Sequence, residues 1–341
     1  MEEYVLVSLF DGYSGAYEAA KRVKSLKISK CYASEIDKHA IKISKKNHPE
    51  IIHLGDVRDL VYSFDVPEST EKDVILIGGS PCQDLSIAGK RAGLKGERSG
   101  LFFEYVRALE ELKPKYFIFE NVASMKNSDR DTISNILGVE PIMIDSALVS
   151  AQRRRRYYWT NIKGVWEPKD RRVLLGDVLE NINNAVYYLT NQKANTLRAR
   201  CNNETTTEKG VKRVLEKRIG NLVFIKENGP EYLKAHSYKF GKNYLQYDIN
   251  GTRHGSQDQR AYYLDGKNPT LDTSCKNKIL IDKEKLVIRK LTPVECERLQ
   301  TLPDGYTEGV SDTQRYKMLG NGFTVDVIAH ILSFIPIQDL L

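Results

Sequence analysis

A chain of 341 residues exceeds what most single compact cores hold, so one large domain with a smaller second unit is the starting expectation. Hydrophobic residues make up 41% of it and charged residues 28%, a balance that speaks for a soluble globular protein and against disordered or membrane classes. Fifty-two lysines and arginines against 45 acids leave a net charge of +7, and local clusters such as Arg153 to Arg156 favour a polyanionic partner without requiring one.

In chain order, an apolar run from Val5 to Phe10 ends at Asp11-Gly12-Tyr13-Ser14-Gly15, and Ala16 to Val23 continues as a helix. Lys30 to Ser34 reads as a second strand, followed by Glu35 and a helical stretch through Lys45. Ile51 to Leu54 leads into Gly55-Asp56, while Val74 to Ile77 and Tyr116 to Phe119 are short apolar runs typical of buried parallel strands. This alternation over residues 1 to about 163 predicts an open α/β sheet with helices on both faces and ligands at the carboxyl ends of its strands. After Trp166-Glu167-Pro168 the character changes: residues 165–285 are rich in Asn, Thr, Lys, Gly and Tyr, as in a loop-rich β module. Regular pattern returns at Leu291, where Thr292-Pro293-Val294-Glu295 has the layout of a capped helix start.

The five cysteines, Cys31, Cys82, Cys201, Cys275 and Cys296, form no C-x-x-C pair, so neither a zinc site nor a disulfide framework is expected. The opening Met1-Glu2-Glu3-Tyr4 lacks a signal-peptide layout, and the apolar C-terminal stretch is broken by Asp326 and His330. The expectation is a cytoplasmic protein with no metal and no membrane span.

A glycine turn after a first strand suits a nucleotide-like cofactor or is an ordinary connection. Glu35, about 20 residues on, is placed to accept from ribose hydroxyls, and Asp56 from an adenine amino group. The turn lacks G-x-G-x-x-G and carries Asp11 where a pyrophosphate needs bare amides, which disfavours a dinucleotide and suits a cofactor without phosphates. S-adenosylmethionine meets that description, with Phe10 stacking on adenine or facing the sulfonium.

The fourth strand runs into Gly78-Gly79-Ser80-Pro81-Cys82, which puts a cysteine just past a strand end on the same sheet edge. Ile87 to Gly100 intersperses glycines with Lys90, Arg91, Lys95 and Arg98, and is either a solvated surface loop or a cationic segment that closes over a phosphate backbone. The next strand delivers Glu120-Asn121-Val122. A thiolate nucleophile beside a carboxylic acid held protonated by burial suits addition to an electron-poor double bond.

These ordered motifs, with Gln152, Arg154, Arg156 and Leu319-Gly320-Asn321-Gly322, resemble the cytosine-C5 DNA methyltransferases over residues 4 to about 163 and 286–337. The resemblance implies a Rossmann-like, S-adenosylmethionine-dependent mixed sheet. It divides the chain into a catalytic and cofactor-binding domain at 1–164, a target-recognition domain at 165–285 and a returning C-terminal segment at 286–341. It implies that Cys82 attacks C6 of a flipped cytosine in double-stranded DNA, Glu120 acts at N3, Arg154 positions the base or its phosphate and Arg156 supports Glu120 or the backbone. Phe10, Gly12, Ser14, Gly15, Glu35, Ile36, Asp56, Val57, Pro81, Leu101 and Asn321 would line the cofactor pocket. Such an enzyme stands alone or is paired with a restriction endonuclease. Four positions depart from the usual pattern: Ser8 and Ser14 stand where many relatives have Asp and Gly, Asp11 replaces a small residue, and Gly322 a Ser or Ala. Arg153 and Arg155 are additional arginines, read as phosphate contacts or surface charge.

Overall fold

The computed structural model describes residues 3–66, 73–80, 101–180 and 291–335, and five short strands between 237 and 290 by their backbone. The first strands are β1 (Glu3–Leu9), β2 (Lys27–Ser34), β3 (Ile52–Gly55), β4 (Val74–Gly78) and β5 (Tyr116–Val122). They are parallel, and with β6 (Ile142–Asp145) and β8 (Arg155–Thr160) form one seven-stranded sheet in the order β3-β2-β1-β4-β5-β8-β6. Strand β8 runs antiparallel to both β5 and β6, which makes the sheet mixed.

The central strands are apolar on both faces because helices cover both. Period-two alternation sends Leu6, Ala33, Ile75 and Ile118 to one face and Val5, Val7, Leu76 and Phe117 to the other. The first face packs against α1 (Gly15–Arg22) and α2 (Lys38–Asn47), the second against α3 (Tyr62–Asp65), α4 (Leu101–Leu112) and α5 (Asn127–Leu137). Phe102, Tyr105 and Trp159 are fully buried on that second face. At about 1.5–3 kcal/mol for each large apolar side chain, these are major contributors to the sheet's stability.

Strand β5 is longer than its apolar run, so Glu120 and Asn121 lie inside the strand rather than beyond it. β6 and β8 were not visible in the sequence, since Arg155-Arg156-Tyr157 at the start of β8 masks the strand pattern with charge.

Residues 165–180 pack with the body that carries the seven-stranded sheet. Leu175 and Val178 of α6 (Leu175–Val178) are buried with Leu291 and Leu299. The chain then returns through α7 (Pro293–Leu299), α8 (Asp312–Asn321) and α9 (Val325–Leu332). The start of α7 has the expected cap: Thr292 Oγ1 accepts from Glu295 N–H at 3.1 Å, and the Glu295 carboxylate accepts from Thr292 N–H at 2.8 Å. Helix α9 lies on α1, with Arg22 paired to Asp326 at 2.5 Å. Between these parts β9 (Ser237–Lys239) pairs with β10 (Leu245–Tyr247), and β12 (Lys278–Leu280) with β13 (Ile288–Lys290), both antiparallel. The two-residue β11 (Asn268–Pro269) runs beside β7 (Gln152–Arg153). Among the described residues no helix is long and apolar enough to cross a membrane, and no cluster of metal-ligating side chains occurs.

Candidate active site

The turn after β1 has three alternate residues in the left-handed region: Phe10 (φ 56°), Gly12 (φ 62°) and Ser14 (φ 68°). For the two that are not glycine, this conformation costs about 1–2 kcal/mol each, which the surrounding bonds must offset. Glu35 supplies much of that support. Its carboxylate accepts from the N–H groups of Gly12 at 2.8 Å, Ile36 at 2.7 Å and Asp37 at 2.8 Å, joining the turns after β1 and β2. Ser14 donates to Asp11 at 2.6 Å and lies 2.6 Å from the Ser44 hydroxyl. Asp11 is 3% exposed, and burial pushes its carboxyl up to about 7 against the opposing effect of the Ser14 hydroxyl.

Asp56 caps the single turn at Val57–Asp59 and pairs with Arg58 at 2.5 Å; hydrogen bonds from Arg58 hold its carboxyl below the usual range. Val57 is buried, and its carbonyl accepts from Arg107 at 2.7 Å. Ile36 is 69% exposed beside Glu35, while a Cβ placed at Gly12 would meet nothing within 4 Å. Gly15 begins α1, Leu101 begins α4 half-buried, and Asn321 ends α8 exposed. Open backbone, an exposed apolar side chain and two carboxylates fit a ligand with hydroxyl and amino donors better than one with phosphates. Pro81 lies outside the described residues.

The neighbouring edge is built where β4 leaves the sheet beside β5. Glu120, 9% exposed, is held by Arg156, whose Nε lies 2.7 Å from Oε1. Register explains the pair: Val122 is opposite Arg156 and Glu120 opposite Tyr158, so the two side chains are diagonal neighbours on one face. The other oxygen, Oε2, would be 3.0 Å from a Cβ at Gly79, so only glycine leaves room for it at the β4 exit. Asn121 Nδ2 donates to the Ser80 carbonyl at 3.3 Å and ties the ends of the two strands together. Cys82 and the basic segment Ile87 to Gly100 lie outside the described residues.

Arg154, for which the resemblance implies a contact to the base or its phosphate, is buried against the returning C-terminal segment. Its guanidinium is 3% exposed and donates to the carbonyls of Gly320 at 3.2 Å and Gly322 at 2.9 Å. Burial, with Arg156 nearby, brings it down to about 10. The returning C-terminal segment covers this arginine and uses it to satisfy carbonyls in the last turn of α8 and just beyond it. Arg155 is exposed and Arg153 half-buried.

A family model described as C-5 cytosine-specific DNA methylase matches residues 4–336. The chain belongs to this family. It is similar to the type II methyltransferase M1.ScrFI of Lactococcus lactis subsp. cremoris, with 31% identity covering 96% of this chain and 76% of that protein. It is also similar to the orphan methyltransferase M.SPRI of Bacillus phage SPR, at 28% identity and 96% of each. The fold is shared with the Entamoeba histolytica methyltransferase EhMeth, with a TM-score of 0.65 at 17% identity over the full length of both chains. The chain is thus an enzyme of DNA cytosine-C5 methylation, and its mixed α/β sheet is a methyltransferase fold.

Within the methyltransferase, several positioning residues escaped the sequence reading. Tyr13 donates from its hydroxyl to the Phe323 carbonyl at 2.6 Å and fills the space beside Gly322, where a Cβ would stand 2.2 Å from its ring. Gln300 donates to the carbonyls of Leu319 at 2.5 Å and Gly322 at 3.2 Å, and accepts from Thr324 at 2.9 Å. Phe323 in turn sets its ring edge 3.2 Å from a Cβ at Gly79, next to Glu120. A usable sign was present: glycine at 322, where a Ser or Ala is frequent, coincides with a bulky Tyr13 in the glycine turn.

Proposed function

We propose that the methyltransferase methylates C5 of a cytosine flipped out of double-stranded DNA, with Cys82 as nucleophile at C6 and Glu120 acting at N3. The observation that supports this most directly is the anchoring of Glu120: Arg156 holds one carboxyl oxygen, and the other faces Gly79, three residues before Cys82. Thiolate attack forms the S–C6 bond and moves the C5–C6 π electrons to C5, with charge spreading to N3. A hydrogen bond or proton from Glu120 at N3 stabilises that charge. S-adenosylmethionine, when bound, supplies an electrophilic methyl group. The product is freed when a base takes the C5 proton and Cys82 leaves as thiolate.

The cofactor would lie along Phe10, Gly12, Ser14, Gly15, Glu35, Ile36, Asp56, Val57, Pro81, Leu101 and Asn321, with Glu35 and Asp56 as acceptors for hydroxyl and amino groups. Arg154 acts as a positioning residue for the 320–322 segment rather than a contact to DNA. Sequence recognition lies in the chain between 181 and 290, since residues 165–180 pack into the catalytic body. The enzyme works in a cytoplasm, bacterial or phage-infected, alone or beside a restriction endonuclease.

The test is DNA containing 5-fluorocytosine, in which fluorine cannot leave as a proton does. The wild type should form a covalent adduct, and Cys82→Ser should form none while still binding the cofactor. A serine variant with full turnover would overturn the assignment.

A further inference from the structure

We infer that Asp11 is a positioning residue through which the turn after β1 distinguishes the cationic sulfonium cofactor from its neutral thioether product, an inference that rests on the cofactor reading under Proposed function. The geometry is that of a buried carboxyl group held by hydroxyls alone. Oδ2 accepts from Ser14 at 2.6 Å, Oδ1 is buried without a hydrogen bond of ordinary geometry, and the buried Ser8 hydroxyl of β1 also favours the ionised form. The backbone around it is fixed: Asp11 N–H donates to the Ser34 carbonyl at 3.1 Å, and its own carbonyl accepts from Ser14 N–H at 3.2 Å. From Ser14 the contacts continue through Ser44 to His53 Nε2 at 3.1 Å, so the carboxyl joins a polar chain across β1, α2 and β3.

No cation pairs with Asp11 among the described residues. The titratable groups around it are Glu35 from the turn after β2, Cys31 in β2, Tyr13 in its own turn and Tyr306 from the C-terminal return. Burial pushes the thiol and both phenols up, so these stay neutral, and it pushes His53 down, so that ring is neutral too. Glu35 therefore brings the neighbouring charge, and it is negative. A buried carboxyl so placed, pushed up to about 7, changes charge easily. A positive charge arriving at the turn stabilises the ionised form, and by linkage the ionised form binds that charge more tightly. Below its midpoint the group is protonated and indifferent to ligand charge; above it, the ionised carboxylate favours the sulfonium. A coupling of about 1.4 kcal/mol, within what two unit charges retain at an effective dielectric of about 20, is on the order of tenfold in affinity. Methyl transfer removes one positive charge from the ligand, so the same group loosens the spent cofactor's hold relative to the fresh one.

The experiment is calorimetric titration of the full chain, without DNA, with S-adenosylmethionine and with S-adenosylhomocysteine from about pH 6 to about pH 8.5. The preference for the sulfonium should rise about tenfold across that range in the wild type and stay flat in Asp11→Asn, which keeps an acceptor for Ser14. Ser14→Ala, which removes a hydroxyl that favours the ionised form, should move the transition to higher pH; this second variant tests the idea even where Asp11→Asn does not fold. Sulfonium binding near neutral pH should release protons, read from heats in buffers of different ionisation enthalpy. A pH-independent preference in the wild type, or a pH-dependent one retained in Asp11→Asn, would overturn the inference while leaving the cofactor assignment standing. Failure of both ligands to bind would overturn the assignment itself and the inference with it.

Discussion

Replacing Gly322 by alanine tests whether the C-terminal return is seated by shape. The backbone at Gly322 (φ −76°, ψ 173°) is open to any residue, so any penalty comes from space alone. A Cβ there would stand 2.2 Å from Tyr13 Cε1, 2.5 Å from Cζ and 2.6 Å from the hydroxyl oxygen. The ring has little freedom to retreat, being 1% exposed, packed edge-on to Tyr306 at 5.9 Å and bonded to the Phe323 carbonyl at 2.6 Å. Overpacking costs about 1–3 kcal/mol and a lost buried hydrogen bond about 1 kcal/mol, so Gly322→Ala should destabilise by about 2–4 kcal/mol. Chemical denaturation measures this. Tyr13→Ala opens a cavity but also removes the obstructing atoms, so the double variant should be more stable than the sum of the single effects predicts, by at least about 1 kcal/mol. Strict additivity, or a neutral Gly322→Ala, would refute the steric interlock.

Glu120→Gln should lose most of the single-turnover rate while DNA affinity changes little, because it removes a proton donor needed as charge develops at N3. Arg156→Lys keeps a charge but not the Nε contact, and losing a charge-assisted bond of about 1.5–3 kcal/mol should slow methyl transfer by about 10- to 100-fold in the same assay. Arg154→Ala should lower stability in denaturation while leaving the slope of DNA affinity against salt unchanged; a slope reduced by about 1 would return this arginine to the phosphate backbone. Exchanging the 181–290 segment for that of a relative should change the methylated site, mapped by bisulfite sequencing, and retain the cytosine-C5 chemistry.

What could be read in the sequence were features carried by neighbours in the chain. Strand, glycine turn and helix at the start, the acid after β2, and the cap at Thr292 all follow from local periodicity and turn chemistry, and each lies within a few residues of its expected place. Arg154 is buried, and nothing within the four-arginine run tells an inward residue from an outward one. Its burial is decided by Gly320 and Gly322, 166 and 168 residues away. The resemblance already placed Arg156 beside Glu120 or the backbone, and the structure pairs it with Glu120, but the strand that supplies Arg156 was concealed by its charges.

The reversal of β8 explains how basic residues reach the sheet edge that carries Glu120 at all. Parallel strands β1, β2, β3, β4 and β5 all end on one side of the sheet, which gathers the turn at Gly12, Glu35, Asp56, Gly79 and Glu120 there. A sixth parallel strand would bring its last residues to that edge, and in β8 these are Trp159 and Thr160, both buried. Because β8 runs antiparallel, its first residues arrive instead, and Arg156 is set opposite Val122 at the end of β5. Arg154, just before β8, then meets the returning 320–322 segment from the same side. The mixed sheet therefore shapes this edge: one strand direction delivers acids and turns, and the opposite direction delivers Arg156, which holds Glu120.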